Sequence, residues 1–259
     1  MMNPVCLPYP ASKREVVMLN EKPECRSSVA VILPSLDPDK KFMDVVNGLV
    51  GYGFENIIIV DDGSCTERKH WFDEAEKCKG CTVLHHEVNK GKGRALKTAF
   101  SYVKNSLPDV KGVVTIDGDG QHLLKDIIAC SEVMLTNADK VVLGCRDFDL
   151  PNVPPRSVAG NKFTSRAFRV LFGIKLSDTQ TGLRAIPAQY LERFCSIDGE
   201  RFEYETNMLL QMKADGIGFM EQTIETVYDE EDYSSHYNAL KDSFKVGKVM
   251  LKYIFSAKK

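Results

Sequence analysis

Along the chain, short runs of consecutive apolar, mostly β-branched residues alternate with longer stretches whose apolar residues recur at helical spacing. The runs are VAVIL (Val29 to Leu33), NIIIV (Asn56 to Val60), TVLHH (Thr82 to His86), VVTI (Val113 to Ile116) and KVVLG (Lys140 to Gly144). Continuous rather than alternating apolar runs of this length predict strands buried on both faces. Lys40 to Leu49, Gly91 to Lys104 and Leu123 to Leu135 predict amphipathic helices between them. Strands alternating with helices predict βαβ units, and so an α/β fold with a mostly parallel central sheet flanked by helices. The second half is less regular. PNVPPRSVAGNKFTSRAFRVLFG reads as a Pro-rich lead into a basic helix, SDTQTGLRAIP as a loop, and RFEYETNMLLQMKADG as a helix ending at Gly216. YDEEDYSSHYNALKDS reads as a polar connection before a last helix from about Asn238 onward.

The residues just after each run carry the chemistry. The five runs end in PSLDP, DDGS, EVNKGKG, DGDGQH and CRDFD. In open α/β sheets the ligand sits outside the carboxyl ends of the strands. Each of these sequences alone is ordinary turn chemistry. Together they place aspartates, glycines, lysines and an arginine at one sheet edge, which suits a polyanion.

Asp117 and Asp119 are two apart in extended backbone, so both point the same way and can reach one hard cation, while Gly118 and Gly120 allow a tight turn and a close ligand. Lys90, Lys92 and Arg94, interleaved with glycines at a helix start, suit a diphosphate. Neither a P-loop nor a Rossmann fingerprint is present.

Composition narrows the class. With 43% hydrophobic and 27% charged residues the chain has the make-up of a globular protein, and its 259 residues suffice for a real core. A net charge of -2 argues against a general nucleic-acid binder. Eight cysteines without a framework spacing predict reduced thiols, and Cys78 and Cys81 lack the second pair that a zinc site of C-x-x-C type would need. No apolar run reaches the ~18 residues of a membrane span, and no signal-peptide pattern opens the chain.

The motifs VILPSLDP, IIIVDDGS, HEVNKGKGRALKTAF, VVTIDGDGQH, GCRDF and DTQTGLRA resemble, in sequence and order, the family-2 glycosyltransferases of the GT-A fold. VPPRSVAGNKFTSR, DTQTGLRAIP, ERFEYE and YSSHYNALKDS look like the branch containing dolichyl- and polyprenyl-phosphate hexosyltransferases. The resemblance spans roughly Ser28 to Val246. It implies a tail over residues 1–27, one GT-A domain over 28–237 and a C-terminal basic amphipathic helix over 238–259. Within the domain, 28–125 would form the nucleotide half and 126–237 the acceptor half.

The resemblance also implies roles. Pro34, Leu36, Asp37, Asp61 and Asp62 would line the nucleoside pocket, and Lys92 and Gly118 would lie beside the diphosphate. Asp117 and Asp119 would hold Mg2+ or Mn2+. Asp178 and Arg184, in D-x-x-T-G-x-R, would stand near the transferred sugar, while Arg146 and Arg156 would hold an acceptor phosphate. Gln121, His122, Glu203, Glu205 and His236 complete the candidates. One departure stands out: Asp37-Pro38 replaces the common Asn-Glu after the first strand, which leaves UDP and GDP both open.

The implied reaction is metal-dependent, inverting transfer of a hexose, glucose or mannose, from a nucleotide sugar to polyprenyl phosphate. A phosphate acceptor is already ionised and needs only positioning. A saccharide hydroxyl, the alternative acceptor, needs a carboxylate base: Asp178 first, then Glu203 or Glu205. A nucleotidyltransferase would carry a Gly- and Arg-rich sequence where PSLDPDKK stands, and a non-catalytic sugar- or lipid-binding protein has no need of the paired aspartates and lysine together. The cation balancing Asp117 and Asp119 is expected to arrive with the donor. Reduced thiols suit the cytoplasm, and Lys241, Lys245, Lys248 and Lys252 form a basic stripe that suits either the inner face of an anionic bilayer or a helix packed on the domain with its lysines in water.

Overall fold

The computed structural model describes residues 24–150, 153 and 155–225. A single helical turn α1 (Cys25–Ser28) leads into β1 (Val29–Ser35), followed by α2 (Lys40–Tyr52), β2 (Asn56–Asp61), α3 (Lys69–Glu76), β3 (Cys81–His85), α4 (Lys92–Ser106) and β4 (Gly112–Thr115). Then come α5 (Leu124–Thr136), β5 (Lys140–Arg146), α6 (Pro155–Phe172), β6 (Arg184–Pro187), α7 (Leu191–Cys195), α8 (Glu203–Ala214) and β7 (Gly218–Ile224). All five predicted strands are present, within a residue or two of the predicted bounds.

The strands form one sheet in the order β3-β2-β1-β4-β6-β5-β7. Alternate residues of each strand face opposite sides, so the continuous apolar runs feed two cores. Ala30, Ile32, Ile58 and Val60 pack with Ala95, Leu96, Phe100 and Tyr204 under α4 and α8. Val31, Leu33, Ile57 and Ile59 pack with Phe42, Val46, Phe72 and Met134 under α2, α3 and α5. The architecture is three layers, helix–sheet–helix.

Two strands lie outside the five predicted. β6 covers only four residues, RAIP, in the stretch read as a loop, and it runs antiparallel between β4 and β5. β7, GFMEQTI, pairs in parallel with β5 at the sheet edge. Its mixed polarity follows from that edge position, where one side reaches solvent.

This topology places the chemistry. β1 pairs with β2 on one side and with β4 on the other, so the chain reverses its progress across the sheet between β1 and β4. A crevice opens at such a switch point, outside the carboxyl ends of both strands. Because β6 is antiparallel, the 178–182 loop that precedes it arrives at that same edge, with Arg184 opposite Thr115. His236, the 238–259 helix and the segment from 226 onward lie outside the described residues, as do most of the predicted tail and the side chain of Arg156.

Candidate active site

At the β2 end, the strand aspartates turn inward. Asp61 Oδ1 accepts the Ser64 N–H at 2.8 Å and Oδ2 lies 3.0 Å from His85 Nδ1. Asp61 is buried, which alone raises a carboxyl pKa, but the His85 and Ser64 hydrogen bonds outweigh burial and lower it. Asp62 accepts N–H groups from Lys90 at 3.0 Å and Gly91 at 2.7 Å, and the His86 ring nitrogen at 2.7 Å. Asp62 therefore shapes the NKGKG loop. Both carboxylates are anchored by contacts within the fold. His85 and His86, to which the sequence pattern assigns no chemistry, are their partners. Asp37 remains exposed in a left-handed conformation (φ 49°), with Oδ1 accepting the Cys65 N–H at 2.8 Å. Pro34 and Leu36 are half-buried beside it.

The NKGKG loop packs against the start of α8. Gly91 has φ 102°, and a Cβ there would fall 2.4 Å from the Glu200 carbonyl oxygen, so glycine is required twice over. Arg94 clasps Glu200 through two nitrogens at 2.5 and 2.7 Å, and Lys97 adds a third contact at 3.0 Å. These contacts fix the N-terminus of α4 against the 200–205 segment.

The centre of the site is Lys92. Its Nζ lies 2.7 Å from Asp117 Oδ1 and 3.1 Å from Glu205 Oε2. In the ligand-free chain the positive charge beside the aspartate pair is thus supplied by the sequence itself. Burial raises the Asp117 pKa, but the Lys92 ammonium and the His122 ring outweigh it and hold the carboxyl far below the usual range. Lys92 shifts upward for the complementary reason: Asp117 and Glu205 outweigh the cost of burying its charge. Asp119 behaves oppositely. Loss of surrounding water within the cluster and the nearby charge of Asp117 raise its pKa.

The donor set fits a hard divalent cation. Asp117 already accepts a cation, Asp119 commits only Oδ1 to the Gln121 N–H at 3.0 Å, and His122 Nε2 is buried without a hydrogen-bond partner 3.4 Å from Asp117 Oδ2. Among the described residues no three His, Cys, Asp or Glu side chains form a closed metal cage. Mg2+ and Mn2+ need none, because they take one or two carboxylates and fill the remainder with water and phosphate oxygens.

The 178–182 loop joins this corner to a second one. At its far end, Gly182 packs so tightly that a Cβ would lie 2.4 Å from Asp117 Oδ2, and the Thr115 hydroxyl donates to the Gly182 carbonyl at 2.8 Å. At its near end, Asp178 is fully buried and binds Arg146 bidentately, with Nε at 2.7 Å and Nη2 at 3.1 Å. Asp178 Oδ1 also accepts the Gln180 N–H at 3.0 Å. The expectation that Asp178 is the first candidate base is corrected accordingly: it has no open oxygen and orients Arg146. Arg184 lies at the inner side of the same loop, with its Nη2 buried and without a hydrogen-bond partner. It is buried, and donates to the Thr181 carbonyl at 3.1 Å and the Glu205 carbonyl at 2.8 Å, tying the loop to α8. Glu203 accepts the Glu200 and Arg201 N–H groups at 3.1 and 3.2 Å through Oε1, a helix-capping role that leaves Oε2 uncommitted.

Arg146 opens into a cavity of about 360 Å³ shared with Asn161, Lys162, Ser165 and Ser177 and with the acidic Asp147, Asp149 and Glu221. Asn161 donates to the Ser177 carbonyl at 2.5 Å, while its own amide oxygen is buried without a partner. The cavity sits at the end of β5, two strands from β4, which is about 10 Å. The site therefore has two corners built around a cation held by carboxylates, Lys92 with Asp117 and Glu205 and Arg146 with Asp178, joined by one loop.

Comparison with known proteins shows the family and the fold. The family model described as Glycosyl transferase family 2 matches residues 42–210. A UDP-N-acetylglucosamine–dolichyl-phosphate N-acetylglucosaminyltransferase of Methanococcus voltae is 28% identical over 229 residues, covering 82% of this chain and 90% of that one. The uncharacterized protein MJ1222 of Methanocaldococcus jannaschii is 26% identical over 234 residues, covering 89% and 94%. Among solved structures, glucosyl-3-phosphoglycerate synthase of Mycobacterium tuberculosis, in complex with Mn2+, UDP and glucosyl-3-phosphoglycerate, superposes with a TM-score of 0.66. The match covers 96% of this chain and 86% of that one at 14% identity, a likeness of fold. The α/β architecture is the GT-A arrangement that the sequence predicts.

Proposed function

Because the chain belongs to glycosyl transferase family 2, we propose that it transfers a hexose or 2-acetamido-hexose from a UDP-sugar to a polyprenyl phosphate. The observation that carries this reading is the pair of corners, Lys92 on Asp117 at the switch point and Arg146 in a cavity two strands away. UDP in the M. tuberculosis structure and in the name of the M. voltae relative supports uridine over guanosine. That relative's name also supports the lipid phosphate acceptor. Residues 28–125 form the donor half in this reading, and 126–237 the acceptor half.

A divalent cation held by Asp117 and Asp119, with His122 alongside, would neutralise the charge that grows on the leaving diphosphate. Lys92 supports the same charge, since its ammonium is anchored by Glu205 whether or not Asp117 is engaged. Pro34, Leu36 and the exposed Asp37 border the nucleoside. Arg146, oriented by Asp178, and Lys162 hold the acceptor phosphate. A phosphate oxygen, ionised near neutrality, attacks the anomeric carbon from the face opposite the diphosphate. The bond to the β-phosphate oxygen breaks, UDP leaves with the electron pair, and the configuration inverts. No proton has to be removed.

A saccharide hydroxyl acceptor would need a base, and Glu205 is the carboxylate placed for it, with its side chain lining the donor corner. The two readings separate in one screen. UDP-glucose, UDP-N-acetylglucosamine and GDP-mannose are offered with Mn2+ or Mg2+, with a short polyprenyl phosphate or with free saccharides. A glycosyl phosphate lipid from a UDP-sugar supports the first reading. Products only on saccharides would overturn it in favour of the second.

A further inference from the structure

Helix α6 (Pro155–Phe172) carries four basic residues and no acidic one in its sequence, PRSVAGNKFTSRAFRVLF. Its inward face is conventional: Asn161, Thr164 and Phe168 are buried, with Phe168 in the core beneath α4 and α8. Its outward face is not. Phe163 is 76% exposed, Val170 73% and Leu171 48%, which makes them most of the large apolar side chains that the described residues leave open. Phe163 and Val170 are seven apart and so lie on one line along the helix. Lys162, Arg166 and Arg169 are exposed along one flank of that line. Scattered surface apolar residues need no explanation, but an aligned stripe on a helix whose own charges are all basic does.

We propose that the outer face of α6 is a docking surface for an anionic lipid bilayer, with Phe163, Val170 and Leu171 inserted among the acyl chains near the headgroups and Arg166 and Arg169 against lipid phosphates. Two features choose a bilayer over a protein partner. The charges that the helix itself exposes are all basic, and although Lys162 pairs with Asp149 at its cavity end, Arg166 and Arg169 further along remain complementary to anionic headgroups. The same helix also lines the acceptor cavity through Asn161, Lys162 and Ser165. A lipid phosphate whose head enters that cavity would leave its chain in the membrane that α6 touches. In this respect the inference rests on the proposed lipid acceptor. It assigns membrane contact to α6, in addition to the lysines of 238–259 that the sequence pattern suggests.

The test uses the full chain and vesicles that contain no polyprenyl phosphate, so that it reads the surface alone. Tryptophan is introduced by Phe163→Trp in a Trp71→Phe background, and vesicles of phosphatidylglycerol with brominated phosphatidylcholine are added. Strong bromine quenching and a blue shift of this tryptophan are expected. Wild-type Trp71, on α3 at the opposite edge of the sheet, should stay unquenched. Co-sedimentation should fall by about tenfold or more in Phe163→Ser/Val170→Ser. Arg166→Glu/Arg169→Glu should cause a comparable fall on anionic but not neutral vesicles. Donor hydrolysis and the melting temperature should be unchanged in these variants. Absence of quenching, or a Phe163→Ser/Val170→Ser variant that only dissolves a homodimer, overturns the proposal. Transfer to a short soluble polyprenyl phosphate without quenching would sink this surface and keep the acceptor reading. Quenching without any lipid product would do the reverse.

Discussion

Replacing Gly182 with alanine perturbs the catalytic corner without changing any charge. A Cβ there would stand 2.4 Å from Asp117 Oδ2 and 3.2 Å from Lys92 Nζ, whereas ordinary contact begins near 3.4 Å. The backbone of Gly182 is not in the left-handed region, so alanine meets no conformational penalty and the effect is steric. The neighbour is the end of a side chain, so Asp117 yields by about 1 Å and the fold survives at a cost of about 1 kcal/mol. The same 1 Å removes the carboxylate from its place beside the donor diphosphate, and misplacement of that size costs about a hundredfold in rate. Steady-state kinetics of sugar transfer should therefore show kcat/KM reduced by about a hundredfold, with a weaker apparent Mn2+ affinity and a nearly unchanged Tm. Gly160→Ala, where a Cβ meets nothing within 4 Å, is the control. Full activity in Gly182→Ala with normal metal dependence would refute the placement of Asp117 at the donor.

Other expected outcomes rest on the same contacts. Lys92→Met should tighten Mn2+ binding to the donor-free chain, measured by electron paramagnetic resonance, because the ammonium no longer competes for Asp117. It should still weaken transfer by at least about tenfold. In acid, the Lys92–Asp117 pair contributes stability that is complete above the unfolded carboxyl pKa near 4 and is lost as pH falls toward the depressed folded value. Urea titrations below that pH should consequently show a shallower acid-side loss for Lys92→Met than for the wild type. Asp119 has the opposite sign: its raised pKa means that ionisation destabilises the fold above about pH 4, so Asp119→Asn should gain about 0.5 kcal/mol at neutral pH while losing transfer. Asp178→Ala leaves the Arg146 guanidinium without its buried partner and should cost about 3 kcal/mol in chemical denaturation. The loss of stability would accompany a raised KM for the acceptor. An inactive Asp178→Ala variant of unchanged stability would point instead to a free catalytic base.

The sheet was legible because five buried strands announce themselves as unbroken apolar runs. β6 was not, since four residues become a strand only through the neighbours that β4 and β5 provide. The residue types of the site were legible at the strand ends, but their pairings were not. Asp61 faces His85 because β2 and β3 run parallel in that register, a relation across 24 residues that no local pattern displays. A cue existed in two acids ending one strand and two histidines ending the next. Lys92 on Asp117 and Arg146 on Asp178 likewise depend on how strands separated in sequence meet at one edge. Charge alone therefore suggested that the cation beside Asp117 comes from outside, whereas the fold brings Lys92 to it.

Product analysis after incubating the chain with a UDP-sugar, a short polyprenyl phosphate and Mn2+ tests the central claim most directly. The expected product is a glycosyl phosphate lipid of inverted configuration, formed only with the divalent ion and absent for Asp119→Ala. The same product formed in full under chelation, or undiminished in Asp119→Ala, would contradict that claim.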